Sequence, residues 1–174
     1  MNDYVDIFNM NNQVVQVFPT STEPSIGHIL GGKSTSSRKW PWMAMIQERK
    51  KGKLWEHICG GSLISTSWVV TAAHCIVKIL DKSKIKVRVG TEAFNTSDAT
   101  QNVQMFDVGN IYIHPKYKSI VLFNYDIALI KLKKPARLEE FVNTICVDEK
   151  GVDSDNCWIA GINLYFRLLV FQKM

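Results

Sequence analysis

The stretch Trp-Val-Val-Thr-Ala-Ala-His-Cys, residues 68–75, carries the strongest structural signal in the chain. Its β-branched, apolar first half predicts a buried strand. Ala-Ala-His-Cys then turns the chain and leaves the imidazole of His74 at the strand's end, where Cys75 can fix the turn covalently, most economically to Cys59. An imidazole held in this way suits a general base. Such a base must first lie within hydrogen-bond distance of the proton that it takes, and only then does its pKa matter. A lone histidine is more often a structural residue with its hydrogen bonds satisfied. The surrounding sequence must therefore decide between a general base and a structural histidine.

The composition is that of an ordinary globular domain. The chain has 174 residues, of which 46% are hydrophobic and 21% charged, enough to bury a real core. Its formal net charge of +5 is modest and its lysines are scattered, so we expect no nucleic-acid binding. One basic cluster contains Arg49, Lys50, Lys51 and Lys53. A solvated hairpin tip is the simpler interpretation of this cluster, and binding of an anionic glycan is the functional alternative.

The cysteines and the N-terminus give different indications of where the protein matures. Four cysteines suit an oxidising compartment, which predicts an extracellular or secretory protein. Residues 1–28, however, contain early acidic residues and no apolar run typical of a secretory signal. No membrane span is expected, because the apolar stretch at 164–171 is too short to cross a bilayer. The sequon at Asn95 is a glycosylation candidate only if the chain enters the secretory pathway.

The pattern along the chain is all-β. Residues 1–28 are polar and irregular and are interpreted as a flexible leader or a propeptide-like segment. Residues 85–89 alternate apolar and basic side chains, as a half-buried strand does. Residues 77–83 form either a short helical turn or a loop. Short strands between turns predict a barrel or sandwich, with strands at 42–47, 54–59, 62–65, 68–71, 85–89, 103–113, 127–132 and 141–147.

Several motifs resemble those of the trypsin/chymotrypsin-like serine proteases. Cys-Gly-Gly-Ser-Leu-Ile at 59–64, followed by Thr-Ala-Ala-His-Cys at 71–75, is similar to the family's general-base segment. Asp126 begins an Asp-Ile-Ala-Leu motif 52 residues after His74 and follows His-Pro-Lys-Tyr at 114–117. The resemblance implies that Asp126 bonds the second nitrogen of the imidazole, sets its tautomer and stabilises the imidazolium. An isolated aspartate before an apolar strand would otherwise be a turn or cap residue.

Ile-Leu-Gly-Gly at residues 29–32 resembles the family's activation site. There, cleavage before the isoleucine frees an ammonium group that pairs with the aspartate beside the nucleophilic serine. His28 stands where the family usually has a basic residue for the activating protease, and no receiving aspartate is recognisable in this chain. His28 and Ile29 are therefore an activation-site-like pair that departs from the family pattern.

The family's nucleophile is missing from the sequence. Its serine lies in Gly-Asp-Ser-Gly-Gly-Pro, and no such segment occurs in the 174 residues. Ser154 lacks the following glycines that build an oxyanion hole, and it precedes Cys-Trp-Ile-Ala-Gly at 157–161, which the family places well before its serine. Ser154 is thus expected in a surface loop. The resemblance covers residues 29–161, and a divergent apolar tail follows at 162–174.

The remaining cysteines and histidines suggest no further chemistry. Cys146 and Cys157 would lack their family partners, so we expect them to be free or mispaired. The spacing of Cys59, His74 and Cys75 matches no common zinc pattern, and neither a metal nor a cofactor is expected.

We therefore expect an antiparallel all-β fold, with a complete six-stranded trypsin-like barrel from about residue 29 to 140 and the first strands of an unfinished second barrel. The resemblance implies a serine endopeptidase acting on proteins or peptides, in which His74 moves the proton and Asp126 orients it. Without the serine, the oxyanion hole and the specificity pocket, we expect this chain to be inactive by itself. The alternatives are a non-catalytic protease-like binding module and a truncated product without function.

Overall fold

The structure is a computed structural model that describes residues 33–79, 81–91, 102–117, 124–147, 158–162 and 168–172. The fold of these residues is almost entirely β. Its helical elements are α1 (Ala73–Ile76) and a 3₁₀ turn, η1 (Lys82–Lys84). Its strands are β1 (Lys33–Ser34), β2 (Met43–Arg49), β3 (Trp55–Ser65), β4 (Trp68–Thr71), β5 (Ile85–Val89), β6 (Gln104–Ile113), β7 (Ala128–Leu132), β8 (Trp158–Ile162) and β9 (Leu168–Gln172).

Six of these strands close into an antiparallel barrel in the order β2-β3-β4-β7-β6-β5. Closure confirms the all-β class and the complete first barrel expected from the sequence. Every second side chain of β5 points into the barrel: Ile85, Val87 and Val89 are at most 1% exposed. Ile130 of β7 and Leu63 of β3 reach the same core from other sides of the ring. The barrel therefore forms a continuous hydrophobic core on which the site is built.

The prediction of two strands at 54–59 and 62–65 is wrong, because β3 runs without interruption from Trp55 to Ser65. Its first part pairs with β2 and its last part with β4. A Cβ atom at Gly61 would lie 2.8 Å from the carbonyl oxygen of Val70 on the neighbouring strand. Gly61 thus permits close approach of two strands, whereas the sequence suggested a break.

The strand predicted at 141–147 is also wrong. Within this range only Val142 forms a bridge, an isolated one to Glu139, and the other residues follow an irregular path. The amide of Asn143 donates to the carbonyl of Pro41 at 2.9 Å, and the amide of Ile145 donates to that of Leu63 at 2.9 Å. One hydrogen bond to each of two separate segments satisfies these amides without forming a strand ladder. The side chain of Val142 is fully buried.

A second, smaller sheet has the strand order β1-β9-β8. Strand β9, from the segment expected to be a divergent tail, pairs with both neighbours in antiparallel register. In the part of the chain that the structure describes, no helix is long and apolar enough to cross a membrane. The leader at 1–28 lies outside the described residues, as do His28, Ile29, Asn95, Ser154 and Cys157.

Candidate active site

His74 lies on the single helical turn α1, directly after strand β4. We expected the imidazole at the end of the strand; the intervening helix was not predicted. Ala72 and Ala73 are 1% and 0% exposed, and their small side chains let the turn pack against the barrel. Cys75 is joined to Cys59 by a disulfide, with a Cα–Cα distance of 6.1 Å, which confirms the expected pairing. The turn that carries His74 is thus covalently attached to β3.

Asp126 reaches the same place from the segment that leads into β7. The residue before it, Tyr125, has a φ of 58°, which is uncommon for a residue other than glycine. The Tyr125 ring stacks on His114 with a centroid distance of 4.7 Å and an interplanar angle of 5°. The amide of His114 donates to the carbonyl of Ile127 at 3.0 Å. The turn after β6 therefore supports the backbone that presents Asp126.

Two hydrogen bonds connect Asp126 to His74. The backbone amide of His74 donates to Oδ1 at 2.8 Å, and the ring atom Nδ1 lies 2.5 Å from Oδ2. The Asp126 side chain is 3% exposed and that of His74 is 26% exposed. The carboxylate is therefore buried and bonded, while the imidazole retains access to solvent.

This geometry determines what the imidazole can do. An ionised carboxylate only accepts hydrogen bonds, so Nδ1 carries the proton in this pair and the neutral ring has its lone pair on Nε2. Nε2 lies 3.5 Å from Sγ of Cys75, which has no hydrogen to donate because it is part of the disulfide. Nε2 is thus the ring atom whose lone pair can accept a proton, with the Asp126 carboxylate on the opposite side of the ring.

Tyr117 is a further residue beside this pair, and in the sequence it is the last residue of the His-Pro-Lys-Tyr motif at 114–117. Its hydroxyl is buried and has no hydrogen-bond partner among the described residues. Burial raises the pKa of Tyr117, and the negative charge of Asp126 raises it further. Tyr117 therefore remains a neutral phenol close to the carboxylate.

The ligand atoms of Cys59, His74 and Cys75 lie within 4.8 Å of one another, a separation that would suit a metal ion. Both sulfurs, however, are joined in the disulfide and are not thiolates, and Nδ1 of the histidine faces Asp126. The donor set therefore does not fit zinc. Cys146 is a free and exposed cysteine.

Comparison with known proteins identifies the family. The family model for trypsin matches residues 29–172. The chain belongs to the trypsin family. The match extends past Gly161, where we expected the likeness to end. This trypsin-family chain is 40% identical over 125 residues to the venom peptide isomerase heavy chain of Agelenopsis aperta, a match covering 71% of this chain and 50% of that protein.

Two further relatives carry the name chymotrypsin-C. The protein from Rattus norvegicus is 38% identical over 137 residues, covering 76% of this chain and 48% of the relative. The protein from Mus musculus is 35% identical over 147 residues, and the match covers 82% of this chain and 52% of the relative. The chain thus spans about half the length of the curated relatives it matches.

Proposed function

We propose that His74 and Asp126 are the general base and the orienting carboxylate of a serine endopeptidase that acts on protein or peptide substrates. The observation that carries this proposal is that one buried carboxylate forms two hydrogen bonds to His74, one to the backbone amide and one to Nδ1. Two bonds to the same carboxylate fix both the position of the turn and the tautomer of the ring.

In the proposed reaction, Nε2 of His74 accepts the proton of a serine hydroxyl as its oxygen attacks a peptide carbonyl. The imidazolium then returns this proton to the leaving amine, which leaves an acyl-enzyme. Water attacks the ester by the same exchange of a proton with His74 and releases the acid. Burial of Asp126 strengthens its interaction with the transient imidazolium, since charges interact more strongly away from water.

The nucleophile for this reaction is not recognisable in residues 1–174, which contain no Gly-Asp-Ser-Gly-Gly-Pro segment. We therefore propose that these residues supply the base and its orienter and do not cleave peptides alone. One relative is named as a peptide isomerase, so family membership alone does not determine the reaction. We also propose that the protein matures in the secretory pathway, since a disulfide is typical of an oxidising compartment.

The proposal is tested by capturing the endogenous protein with an antibody against residues 71–75 and mapping its peptides by mass spectrometry. Peptides that continue beyond residue 174 to a Gly-Asp-Ser-Gly-Gly segment would identify the full enzyme. We expect that form to react with a fluorophosphonate probe and to hydrolyse peptide substrates without isomerising them.

The variants to compare are Asp126→Asn and Asp107→Asn, because Asp107 is an exposed carboxylate of the same barrel. We expect Asp126→Asn to lower kcat about 10⁴-fold, as a wrong tautomer does in a serine-protease triad, and Asp107→Asn to leave it unchanged. Equal activity of the two variants would contradict the role of Asp126. Fluorophosphonate labelling of the 174-residue chain would contradict its proposed inactivity.

A further inference from the structure

A basic cleft of about 530 Å³ lies on the barrel surface, and neither His74 nor Asp126 is among its lining residues. One wall is the turn between β2 and β3, and the other is the 3₁₀ turn η1. Five cationic side chains and one acidic side chain line it: Arg49, Lys50, Lys51, Lys53, Lys84 and Asp81. The basic cluster noted in the sequence thus gains Lys84 from a separate segment.

Both walls of the cleft are held by specific contacts. In the β2–β3 turn, the amide of Lys53 donates to the carbonyl of Lys50 at 3.0 Å, and Gly52 adopts the left-handed region at a φ of 74°. In the opposite wall, the Asp81 carboxylate accepts hydrogen bonds from the amide and hydroxyl of Ser83 at 3.0 and 2.7 Å. Nζ of Lys82 donates to the carbonyl of Gly109 at 2.6 Å, which attaches η1 to β6. The lysines therefore extend from two ordered turns.

The positive charge of the cleft is only partly neutralised by the protein. Lys50 and Lys53 share Glu56, each at 3.7 Å, and all three side chains are more than two-fifths exposed. Lys51 and Lys84 form no ion pair among the described residues. Two hydrogen bonds from Ser83 to Oδ1 hold the pKa of the Asp81 carboxyl below its usual value, and the positive charge of Lys84 lowers this pKa further, so Asp81 contributes one negative charge to the cleft. A net positive field therefore remains for a ligand.

Trp55, the first residue of β3, contacts Arg49, one of the residues that line the cleft. The guanidinium of Arg49 and the ammonium of Lys86 each lie 5.1 Å from the centre of its ring. The Arg49 contact involves a charge already counted in the lining, and the Lys86 contact adds one further positive charge near the cleft. Lys86 also lies 3.9 Å from the Asp107 carboxylate, so this added charge is partly paired.

We propose that this cleft binds a sulfated polysaccharide. The lining residues are all polar or glycine, so the cleft offers no apolar pocket for the side chains of a peptide. Leu54 is 80% exposed but is not part of the lining. Lysine ammonium groups on flexible stems suit irregularly spaced sulfates, and Ser83 and Asp81 can bond sugar hydroxyls. The site is separate from the proposed peptidase chemistry and does not depend on it.

The test measures binding of a heparin-derived octasaccharide to the 174-residue chain by calorimetry, with an unsulfated octasaccharide and a glutamate octapeptide as comparison ligands. We expect the sulfated ligand to bind most tightly and its affinity to fall as salt rises. Replacing Lys51, Lys53 and Lys84 by alanine should weaken binding about tenfold or more.

The matched control removes three lysines that do not line the cleft: Lys131→Ala, Lys133→Ala and Lys134→Ala. These lysines belong to β7 and to the residues that follow it, and none of them lines the cleft, so we expect this triple variant to retain binding within about twofold. An equal loss in both triple variants would overturn the cleft as the site. Binding of the glutamate peptide as tightly as the sulfated ligand would overturn the choice of a glycan, and no binding by the folded wild type would overturn both.

Discussion

His57 provides a quantitative test of how this chain uses its histidines. It lies on β3 opposite Gln47 of β2, and burial lowers its pKa from 6.5 to about 4. Burial disfavours the charged imidazolium, so the folded protein holds this ring neutral. His74, by contrast, faces a buried carboxylate that stabilises its charged form. We predict that the free energy of unfolding falls steeply with acidity because of His57, and that His57→Gln removes this dependence.

The magnitude follows from proton linkage. Below pH 6.5 the unfolded chain binds a proton at His57 that the folded chain does not bind until the pH approaches 4. The stabilisation is therefore fully present above pH 6.5 and is lost as the pH falls toward 4. The two pKa values differ by about 2.5, and each pKa unit corresponds to about 1.4 kcal/mol. The loss from this residue should thus be about 3 kcal/mol, a large part of the stability of a small domain.

The assay is urea unfolding at a series of pH values between 7 and 4, for wild type and for His57→Gln. The variant is expected to have a profile shallower by about 3 kcal/mol over this range, whatever its stability at pH 7. Titration of the His57 ring by NMR should give a midpoint near pH 4 in the folded protein. A midpoint near 6.5, or parallel unfolding profiles for the two proteins, would refute the linkage.

Two stability predictions concern the barrel and the disulfide. Gly90→Ala should cost about 3 kcal/mol or more, because φ is +73° and the new Cβ would lie within 3 Å of the Asn102 carbonyl and a Val142 methyl group. Gly52→Ala, at a φ of +74° in open space, should cost only about 1–2 kcal/mol; equal losses in urea unfolding would contradict the steric argument. Replacing Cys59 and Cys75 by alanine should cost about 3 kcal/mol; a loss below about 1 kcal/mol would show that the bridge is not a main constraint on α1.

The barrel was predictable because its signals are local and agree with one another. Alternation in β5 and the apolar run of β4 each indicate a strand with a buried face. The paired glycines of β3 were ambiguous, since the same residues mark a turn or a close approach of strands. Residues 141–147 have an apolar pattern that the fold uses in an irregular segment, because their amides bond to two different parts of the chain.

The candidate site was predictable in its residues and less so in its geometry. The resemblance paired His74 with Asp126, and the structure brings them together. The helix α1 has four residues, too few for a helical periodicity to appear in the sequence. The left-handed conformation of Tyr125 leaves no signal either, since residues other than glycine adopt it only under tertiary constraint. The cleft depends on Lys84, whose approach to the β2–β3 turn follows from barrel closure.

The most direct test of the His74–Asp126 pair is NMR of the ring protons in the 174-residue chain, labelled with ¹⁵N at histidine. We predict one far-downfield Nδ1–H resonance, which is lost in His74→Gln and in Asp126→Ala and retained in Asp107→Ala. Folding of each variant is checked by the dispersion of its amide resonances. Absence of that resonance from the wild type, or its persistence in Asp126→Ala, would contradict the pairing on which the proposed general base depends.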